Sequence, residues 1–294
     1  SDPHLGLPQP NLWMIACLRG PETRTVGFTI PGLPFVLEGR NERIAWGGTN
    51  LQGVASQLVD VSDEPEGAFT PRTERIRVRW WFDATLEARD SRFGPVMTDV
   101  PLLDGLAGPN GEASALRWRG HEPSDESTAF LRAMRAADWP EFRRAFAHFK
   151  SGGQNMLYAD ADGHVGHLIA TEWVPAAAET AWDAPVRPEA AGDWSRRLAS
   201  DELPAAFDPP EGFIASANNT PIRTDPAMLA QGNANDRMRR MQELLAGDGV
   251  VTIDALKALQ RDTFSHASLA AARRIVAHAA PVPSDPEAGD QRAL

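Results

Sequence analysis

The stretch Phe213-Ile214-Ala215-Ser216-Ala217-Asn218-Asn219-Thr220-Pro221 passes from apolar and small residues to two side-chain amides and a proline. This pattern predicts a strand that ends there and presents amide donors. A carboxamide on a rigid strand end can point its N–H groups at a developing oxyanion without adding a net charge, which suits acyl-transfer chemistry. A polar turn after a strand is the plain structural alternative for this segment taken alone.

The composition is that of a folded globular protein, with 42% hydrophobic and 23% charged residues in 294. Lys and Arg (29) are outnumbered by Asp and Glu (40), and the formal net charge is −11, so we expect no nucleic-acid partner. No apolar run approaches the roughly 18–20 residues that span a bilayer, so we expect no membrane partner. The single cysteine, Cys17, lies in an apolar run and is expected to be a small buried hydrophobe.

Strand patterns and helix patterns alternate in blocks along the chain. The first hundred residues contain short apolar or alternating runs separated by Gly and Pro turns, which predict strands. Helix starts follow at Ser124-Asp125-Glu126 and at Pro140, and residues 155–170 predict a hairpin that turns at Asp162-Gly163. Three helical patterns come later, at 228–245, 253–259 and 269–279.

The remaining segments carry weaker patterns. Residues 175–210 are rich in Pro, Ala and Asp and predict a long surface excursion, and residues 281–294 predict a loose tail. There is no internal repeat, no obvious interdomain linker and no Gly-rich phosphate loop. The order of strands and helices predicts one α+β layered domain over residues 1–294, not a parallel doubly wound sheet.

Two polar clusters have simple structural explanations. Asp160, Asp162, His164 and His167 could suggest a metal site, but their spacing does not match a calcium loop. Histidines at a spacing of three on a strand also point to opposite faces, so a hairpin with solvent-facing Asp is favoured. The basic run at 237–241 is best explained by a solvated helix with one inward Arg.

Seven short segments follow one another along the chain in a specific order. They are Asp2-Pro3-His4-Leu5-Gly6, Ile30-Pro31-Gly32-Leu33-Pro34, residues 39–47 (Gly39-Arg40-Asn41-Glu42-Arg43-Ile44-Ala45-Trp46-Gly47), Phe93-Gly94-Pro95-Val96, Gln154-Asn155 through Gly163, Phe213 through Asn219, and Asp236-Arg237. Together they resemble the catalytic β chain of the penicillin acylase family of N-terminal nucleophile hydrolases. The resemblance covers almost the whole chain, and its order and spacing make it specific.

The resemblance implies a fold and a reaction. The fold is the αββα four-layer sandwich of N-terminal nucleophile hydrolases, here incomplete, with the first strand, the α chain and the C-terminal part absent. In the family a precursor cuts itself and exposes an N-terminal serine, whose α-amino group acts as the base. An α-amine titrates near roughly 7.7–8.0, which suits proton transfer near neutral pH. The net reaction is hydrolysis of a linear amide through an acyl-enzyme.

The resemblance also assigns roles to individual positions. His4 falls where a residue contacts the nucleophilic serine, and Asn50 falls where a backbone N–H supplies half of the oxyanion hole. Asn218 falls where a side-chain amide supplies the other half, and Arg237 where an arginine orients that amide and the attacking amine. The positions that line the acyl pocket are Leu5, Gly48 and Gln154.

The chain departs from the family pattern at two sites. The nucleophilic serine lies roughly twenty residues before the Asp2-Pro3-His4 segment in the family, so Ser1 is not expected to be the nucleophile and this chain alone is expected to be inactive. Residues 51–57, where some members bind calcium, contain no carboxylate. We therefore expect neither a metal nor a cofactor.

The sequence thus favours part of an amidohydrolase that acts on N-acyl compounds, such as penicillin-type side chains or related acyl amides. Acyl-homoserine lactone acylase activity of the parent protein is an alternative. A non-catalytic binding or scaffold domain that keeps the fold is another, and a sugar-binding module would need several exposed tryptophans in a row. Expected partners are a small acyl amide, the α chain of the same precursor and a second copy paired along an exposed sheet edge. The family resemblance implies a periplasmic or secreted protein.

Overall fold

The computed structural model describes residues 6, 8–21, 23–51, 53, 55–100, 113–174, 184–219, 235–247 and 251–279. The chain divides into two compact units, Ser1–Ala234 and Asn235–Leu294. The α+β composition agrees with the sequence. The single partial domain over residues 1–294 stays a prediction, and the expected tail at 281–294 lies outside the described residues.

The described part of the first unit is built mainly from antiparallel strands. They are β1 (Met14–Arg19), β2 (Arg24–Thr29), β3 (Glu38–Arg40), β4 (Ile44–Asn50), β5 (Ser56–Asp60), β6 (Thr70–Ile76), β7 (Ala84–Ser91), β8 (Gly94–Pro95), β9 (Ser114–Trp118), β10 (Gln154–Asp160), β11 (Val165–Ala170) and β12 (Ala205–Phe207). The largest sheet has the order β1-β2-β3-β4-β10-β11-β12. Two smaller sheets contain β5-β9 and β6-β7-β8. The hairpin predicted at 155–170 is confirmed as β10 and β11, with Gly163 in the left-handed turn position (φ 97°).

Two helices, α1 (Glu126–Ala133) and α2 (Trp139–Ala145), begin at the predicted positions. The Asp125 carboxylate accepts a hydrogen bond from the N–H of Thr128 at 3.0 Å, and the Asp138 carboxylate accepts one from Glu141 at 2.8 Å. These side chains satisfy N–H groups that have no partner within the helix. Pro140 lies in the first turn of α2, where its missing N–H costs nothing.

The main core lies between these helices and one face of the seven-stranded sheet. Phe142 and Phe146 are fully buried there, against Trp46 and Tyr158 from the sheet. Side chains alternate between the two faces of a strand. Gly48 and Asn50 therefore share the face of Trp46, which the helices cover, whereas Thr49 lies on the opposite face.

Asn41 joins the β3–β4 turn to the end of α1. Its Nδ2 donates to the carbonyl oxygens of Met134 (3.2 Å) and Ala136 (2.8 Å), and its Oδ1 accepts the N–H groups of Arg43 and Ile44, each at 2.8 Å. These four bonds give a structural reason for an asparagine within the family-like segment at 39–47.

We expect Asn41→Ala to lower the free energy of unfolding by about 2–3 kcal/mol, because carbonyl and N–H groups in a partly buried turn lose their partners. Denaturant unfolding of this chain measures the change. Asn11→Ala is the matched control, since Asn11 is exposed and makes one 3.2 Å bond to the N–H of Trp13. An Asn41 variant as stable as the Asn11 variant would contradict this role.

Two expectations from the sequence are wrong. Cys17 is exposed, because it lies on edge strand β1 with its side chain on the face that α1 and α2 do not cover. Residues 184–210 are not a simple surface excursion, since Val186 and Leu203 are buried. Val186 exchanges main-chain hydrogen bonds with Leu58 and Asp60 of β5, a long-range pairing that leaves no local period in the sequence.

The turn between β6 and β7 exposes three consecutive aromatic residues. Trp80, Trp81 and Phe82 are 86%, 76% and 82% exposed. Trp46 and Trp173 are buried, as the strand patterns indicate for Trp46. Within the described residues, the β6–β7 tip thus has two adjacent exposed tryptophans, and the sugar-binding alternative stays an untested prediction.

The described part of the second unit contains three helices, α3 (Asn235–Leu245), α4 (Ile253–Gln260) and α5 (His266–His278). Asp236 ties α3 to the start of α5, because its carboxylate accepts from Ser265 Oγ (2.8 Å) and from the N–H of Ala267 (3.0 Å). Arg240 pairs with Asp262 and is the least exposed of the three arginines in the basic run. Residues 228–234 lie outside the described residues.

None of the helices in the described ranges is long and apolar enough to cross a membrane.

Candidate active site

At the end of β4, the main-chain N–H and C=O of Asn50 point away from the neighbouring strand β10. Asn50 lies opposite Gln154, and the next residue, Leu51, donates its N–H to the carbonyl oxygen of Gly153 at 2.9 Å. Hydrogen-bonded and non-hydrogen-bonded pairs alternate along antiparallel strands. Asn50 and Gln154 therefore form a non-hydrogen-bonded pair, so the N–H and C=O of Asn50 both face away from β10.

The amide of Asn218 lies on that same side of β4. Its Nδ2 donates to the carbonyl oxygen of Asn50 at 3.0 Å, so the donor end of the carboxamide faces the strand end. Asn218 has a left-handed backbone (φ 62°), a conformation that asparagine tolerates better than most residues. The two predicted oxyanion donors thus come from segments that the fold brings into contact.

The expected strand at Phe213–Ala217 is wrong, because these residues follow an irregular path. Side chains fasten the segment in place of a strand ladder. Ser216 Oγ lies 2.6 Å from Thr49 Oγ1, and the N–H of Ala217 donates to Asn219 Oδ1 at 3.0 Å. An N–H held by a neighbouring side chain competes with regular pairing.

The structure brings four of the seven predicted site residues together. Gln154 Nε2 donates to Asn50 Oδ1 at 3.0 Å, and a Cβ added to Gly48 would lie 3.6 Å from Gln154 Oε1. Asn50, Asn218, Gly48 and Gln154 therefore form one cluster, which we call the strand-end cluster. Their catalytic and pocket-lining roles stay predictions.

The three remaining predicted site residues are His4, Leu5 and Arg237. His4 and Leu5 lie outside the described residues. Arg237 is an exposed residue of α3 in the second compact unit. Their assigned roles also stay predictions.

A second polar cluster, which was not predicted from the sequence, lies on the opposite face of the same strands. His167 Nε2 is 3.1 Å from Asn155 Oδ1, and Asn155 Nδ2 donates to Thr49 Oγ1 at 3.4 Å. The Thr49 hydroxyl is in turn 2.6 Å from that of Ser216. We call these four residues the polar row. Thr49 and Asn155 adjoin Asn50 and Gln154 in the sequence, and Ser216 lies two residues before Asn218, which was the available signal for these three.

Burial sets the charge of His167, and the hydrogen bond to Asn155 sets its tautomer. It lowers the pKa of His167 to about 4, so the ring is neutral near neutral pH. The amide oxygen of Asn155 can only accept a hydrogen bond, which assigns the ring proton to Nε2 by complementarity. Asn155 is itself 2% exposed. The polar row is therefore an uncharged network in the sheet.

We expect the stability of this chain to fall as the pH drops from about 6.5 to about 4. The unfolded chain protonates His167 below its ordinary pKa of 6.5, whereas the folded chain resists protonation until about pH 4. At about 1.4 kcal/mol for each pH unit, the contribution that is lost reaches about 3 kcal/mol. Denaturant unfolding across this pH range measures it.

His167→Gln should remove this part of the acid sensitivity, and an unchanged pH profile in that variant would contradict the assignment. His164→Gln is the matched control. The Asp208 carboxylate, 2.6 Å away, raises the pKa of His164. His164 therefore contributes stability at low pH that is lost as the pH rises, which is the opposite sign.

The two histidines that could suggest a metal thus have different partners, Asp208 for His164 and Asn155 for His167. Across the described ranges, no group of three or more His, Cys, Asp or Glu side chains is arranged to hold a metal ion. The chemistry that the strand-end cluster offers is hydrogen-bond donation from neutral amides.

The chain is similar to several acylases. It is 26% identical over 292 residues to penicillin acylase 2 proenzyme of Pseudomonas sp. (strain SE83), covering 93% of this chain and 36% of that protein. It is 25% identical over 287 residues to acyl-homoserine lactone acylase QuiP of Pseudomonas fluorescens (strain Pf0-1), covering 89% and 33%. The chain therefore spans about a third of the length of these curated relatives.

The fold is also similar to that of a solved enzyme. A thermostable penicillin G acylase from Alcaligenes faecalis superposes with a TM-score of 0.63 at 24% identity, covering 88% of this chain and 46% of that one. The model of the penicillin amidase family matches residues 1–294. Because the match extends over the whole sequence, this chain belongs to the penicillin amidase family.

Proposed function

We propose that the complete gene product containing this chain hydrolyses linear amides of N-acyl compounds, with Asn50 and Asn218 as its oxyanion donors. One observation carries the proposal. The Asn218 Nδ2 lies 3.0 Å from the carbonyl oxygen of Asn50, on the side of β4 toward which the Asn50 N–H is turned. Two neutral donors at one strand end suit an oxygen that gains negative charge during acyl transfer.

The proposed mechanism follows from these donors. An N-terminal serine, exposed by self-cleavage of a precursor, adds its hydroxyl oxygen to the amide carbon while its own α-amine takes the proton. The carbonyl oxygen becomes an oxyanion and accepts hydrogen bonds from the Asn50 N–H and Asn218 Nδ2. Collapse expels the amine, which receives the proton, and water then releases the acyl group as a carboxylic acid. His4 would hold the serine, and Arg237 would have the orienting role that the family resemblance assigns to it.

The acyl group would lie against the helix-covered face of β4 and β10. Gly48 and Gln154 are on this face, next to Met156, whose Sδ is 3.0 Å from a Cβ added at Gly48. Leu5 would complete the lining. Because an amide side chain and apolar groups share this surface, we propose a pocket that is only partly apolar and that accepts the acyl part of penicillin-type or related amides.

Acyl-homoserine lactone acylase activity is the second candidate, and the relatives named for that activity favour it. The two candidates share the same chemistry and differ in the acyl group and amine. Specificity between such substrates depends on pocket volume and on polar groups left unpaired.

We further propose the four-layer αββα arrangement, in which the face of the large sheet opposite to α1 and α2 packs against a second sheet. The support is that α1 and α2 cover one face, while Ile15 on the other face is 72% exposed and Phe28 and Leu157 are partly exposed. An α chain of the same precursor and a periplasmic or secreted location are proposed by family resemblance. We also propose that this chain self-associates along edge strand β1. Light scattering of the purified chain that shows only monomer would contradict this proposal.

The test is an amidase assay on the complete gene product, with a phenylacetyl amide and a long-chain N-acyl-homoserine lactone as substrates. We expect release of the free amine from at least one of them, and the preferred substrate separates the two candidates. A processed and folded protein that hydrolyses neither substrate would contradict the proposal. That result would favour the alternative of a non-catalytic binding or scaffold domain.

A further inference from the structure

We propose that Asn155 and His167 are positioning residues that hold the two oxyanion donors in register from the opposite face of the sheet. The inference rests on the proposed function. It is carried by the hydrogen bonds of the polar row, which connect the segment of Asn50 to the segment of Asn218.

The polar row is attached to both donor segments. Thr49 immediately precedes Asn50 on β4, and Ser216 lies two residues before Asn218. Their hydroxyl oxygens are 2.6 Å apart. This bond therefore joins the two segments on one face of the strand, while Asn218 Nδ2 and the Asn50 carbonyl join them at the strand end. Two separate bonds restrict the sliding of one segment along the other.

The strand register places Asn155 and His167 beside Thr49. Asn155 is directly opposite Thr49 in the β4–β10 register, and His167 is its diagonal neighbour across the β10–β11 pair. All three side chains lie on the face opposite to Gly48 and Gln154. The row thus supports the strand-end cluster from behind and does not occupy its surface.

The hydrogen bonds of the row have a consistent direction. His167 Nε2–H donates to Asn155 Oδ1, and Asn155 Nδ2 donates to Thr49 Oγ1. Because the Thr49 oxygen is then an acceptor, its own hydrogen can be directed at Ser216 Oγ. Loss of one member removes the hydrogen bond to its neighbour in the row, and loss of Thr49 removes the bond that joins Ser216 to β4.

A purely structural role makes a different prediction from a positioning role. If the row only stabilises the core, its removal lowers stability and leaves the turnover of folded protein unchanged. If it positions the donors, kcat falls while KM changes little, because the donors act most strongly on the transition state. A displacement of about 1 Å in such a site can cost about 10²-fold in rate.

The first experiment measures kcat and KM of the complete gene product for its preferred acyl amide. We expect His167→Phe and Asn155→Leu to lower kcat by about tenfold to about 10²-fold, with KM nearly unchanged. His167→Gln should recover most of the rate, because its amide N–H can donate to Asn155 Oδ1. Folded Phe and Leu variants with the kcat of the unchanged protein would overturn the inference.

Thr49→Val and Ser216→Ala keep the inference testable if the buried variants fail to fold. Each of these substitutions removes a partly exposed hydroxyl group at the end of β4. We expect each to lower kcat, and the double variant to be no slower than the slower single variant, because both break the same bond. Additive losses, or no loss in either single variant, would overturn the inference.

A structural measurement separates failure of the inference from failure of the proposed function. In NMR spectra of the 15N-labelled chain, we expect the Thr49→Val and His167→Phe substitutions to shift the resonances of the Asn218 carboxamide and of the Asn50 N–H. This expectation does not depend on whether the complete gene product is active. The His167 ring should show a protonated Nε2 and an unprotonated Nδ1 near neutral pH. Absence of hydrolysis with these shifts present contradicts only the proposed function, whereas unchanged resonances contradict the positioning role.

Discussion

Asn218→Ala is expected to lower the turnover of acyl amides by the complete gene product about 10²–10³-fold, because one of two oxyanion donors is lost. The Asn218 Nδ2 is directed at the end of β4, where the Asn50 carbonyl oxygen accepts its hydrogen bond at 3.0 Å. Alanine offers no donor at this point. Steady-state measurement of kcat and KM on the preferred substrate gives the loss.

Asn218→Gly is the matched control for backbone strain. Asn218 has φ 62°, which glycine adopts freely and alanine does not. If the missing amide is the cause, the glycine and alanine variants lose the same activity even though glycine relieves the strain. Asn11→Ala changes an exposed residue that is far from Asn218 in the sequence, and it should leave turnover unchanged. A folded Asn218→Ala variant with full activity would contradict the oxyanion role.

Phe142→Ala is expected to lower the free energy of unfolding of this chain by about 3–5 kcal/mol, because a fully buried aromatic ring leaves a cavity. Phe142 is 0% exposed, and its ring centroid lies 5.1 Å from that of Phe146 and 5.3 Å from that of Tyr158. It therefore links α2 to the large sheet. Denaturant unfolding followed by near-UV circular dichroism measures the change.

Phe82→Ala is the control for that variant, since Phe82 is 82% exposed at the β6–β7 tip. We expect a change within about 0.5 kcal/mol for this surface position. A Phe142 variant no less stable than the Phe82 variant would contradict the assignment of the main core to the interface between the helices and the sheet.

The parts of the fold that depend on local sequence were predictable. Asp125 and Pro140 mark helix starts because capping and first-turn geometry involve residues within one turn. The Asp162-Gly163 turn was predictable for the same reason, because a left-handed turn position selects glycine. Such local rules do not predict contacts between residues that are distant in the sequence.

The parts that depend on tertiary pairing were not predictable. Cys17 lies in an apolar run, yet only the order of the described sheet shows that β1 is an edge strand and that α1 and α2 lie against its other face. The segment at 213–217 has a strand-like composition, but the Asn219 side chain holds the Ala217 N–H and Ser216 bonds to Thr49. Side chains that take backbone partners are not visible in a hydrophobic pattern.

The candidate site shows the same division. Asn50, Asn218 and Gln154 follow from resemblance to a family, and the structure brings them together. Asn155 and His167 were missed as a pair because they become neighbours only through the β10–β11 register. The spacing of His164 and His167 suggests only a metal site, whereas the partner of His167 lies on the adjacent strand.

The decisive measurement is a crystal structure of the complete gene product with an acyl boronate or phosphonate that mimics the tetrahedral intermediate. We predict that the oxyanion-like oxygen of the adduct lies within about 3 Å of both the main-chain nitrogen of Asn50 and Nδ2 of Asn218. An adduct whose oxygen is directed at other donors or at solvent, with Asn218 still turned to the Asn50 carbonyl, would contradict the oxyanion assignment.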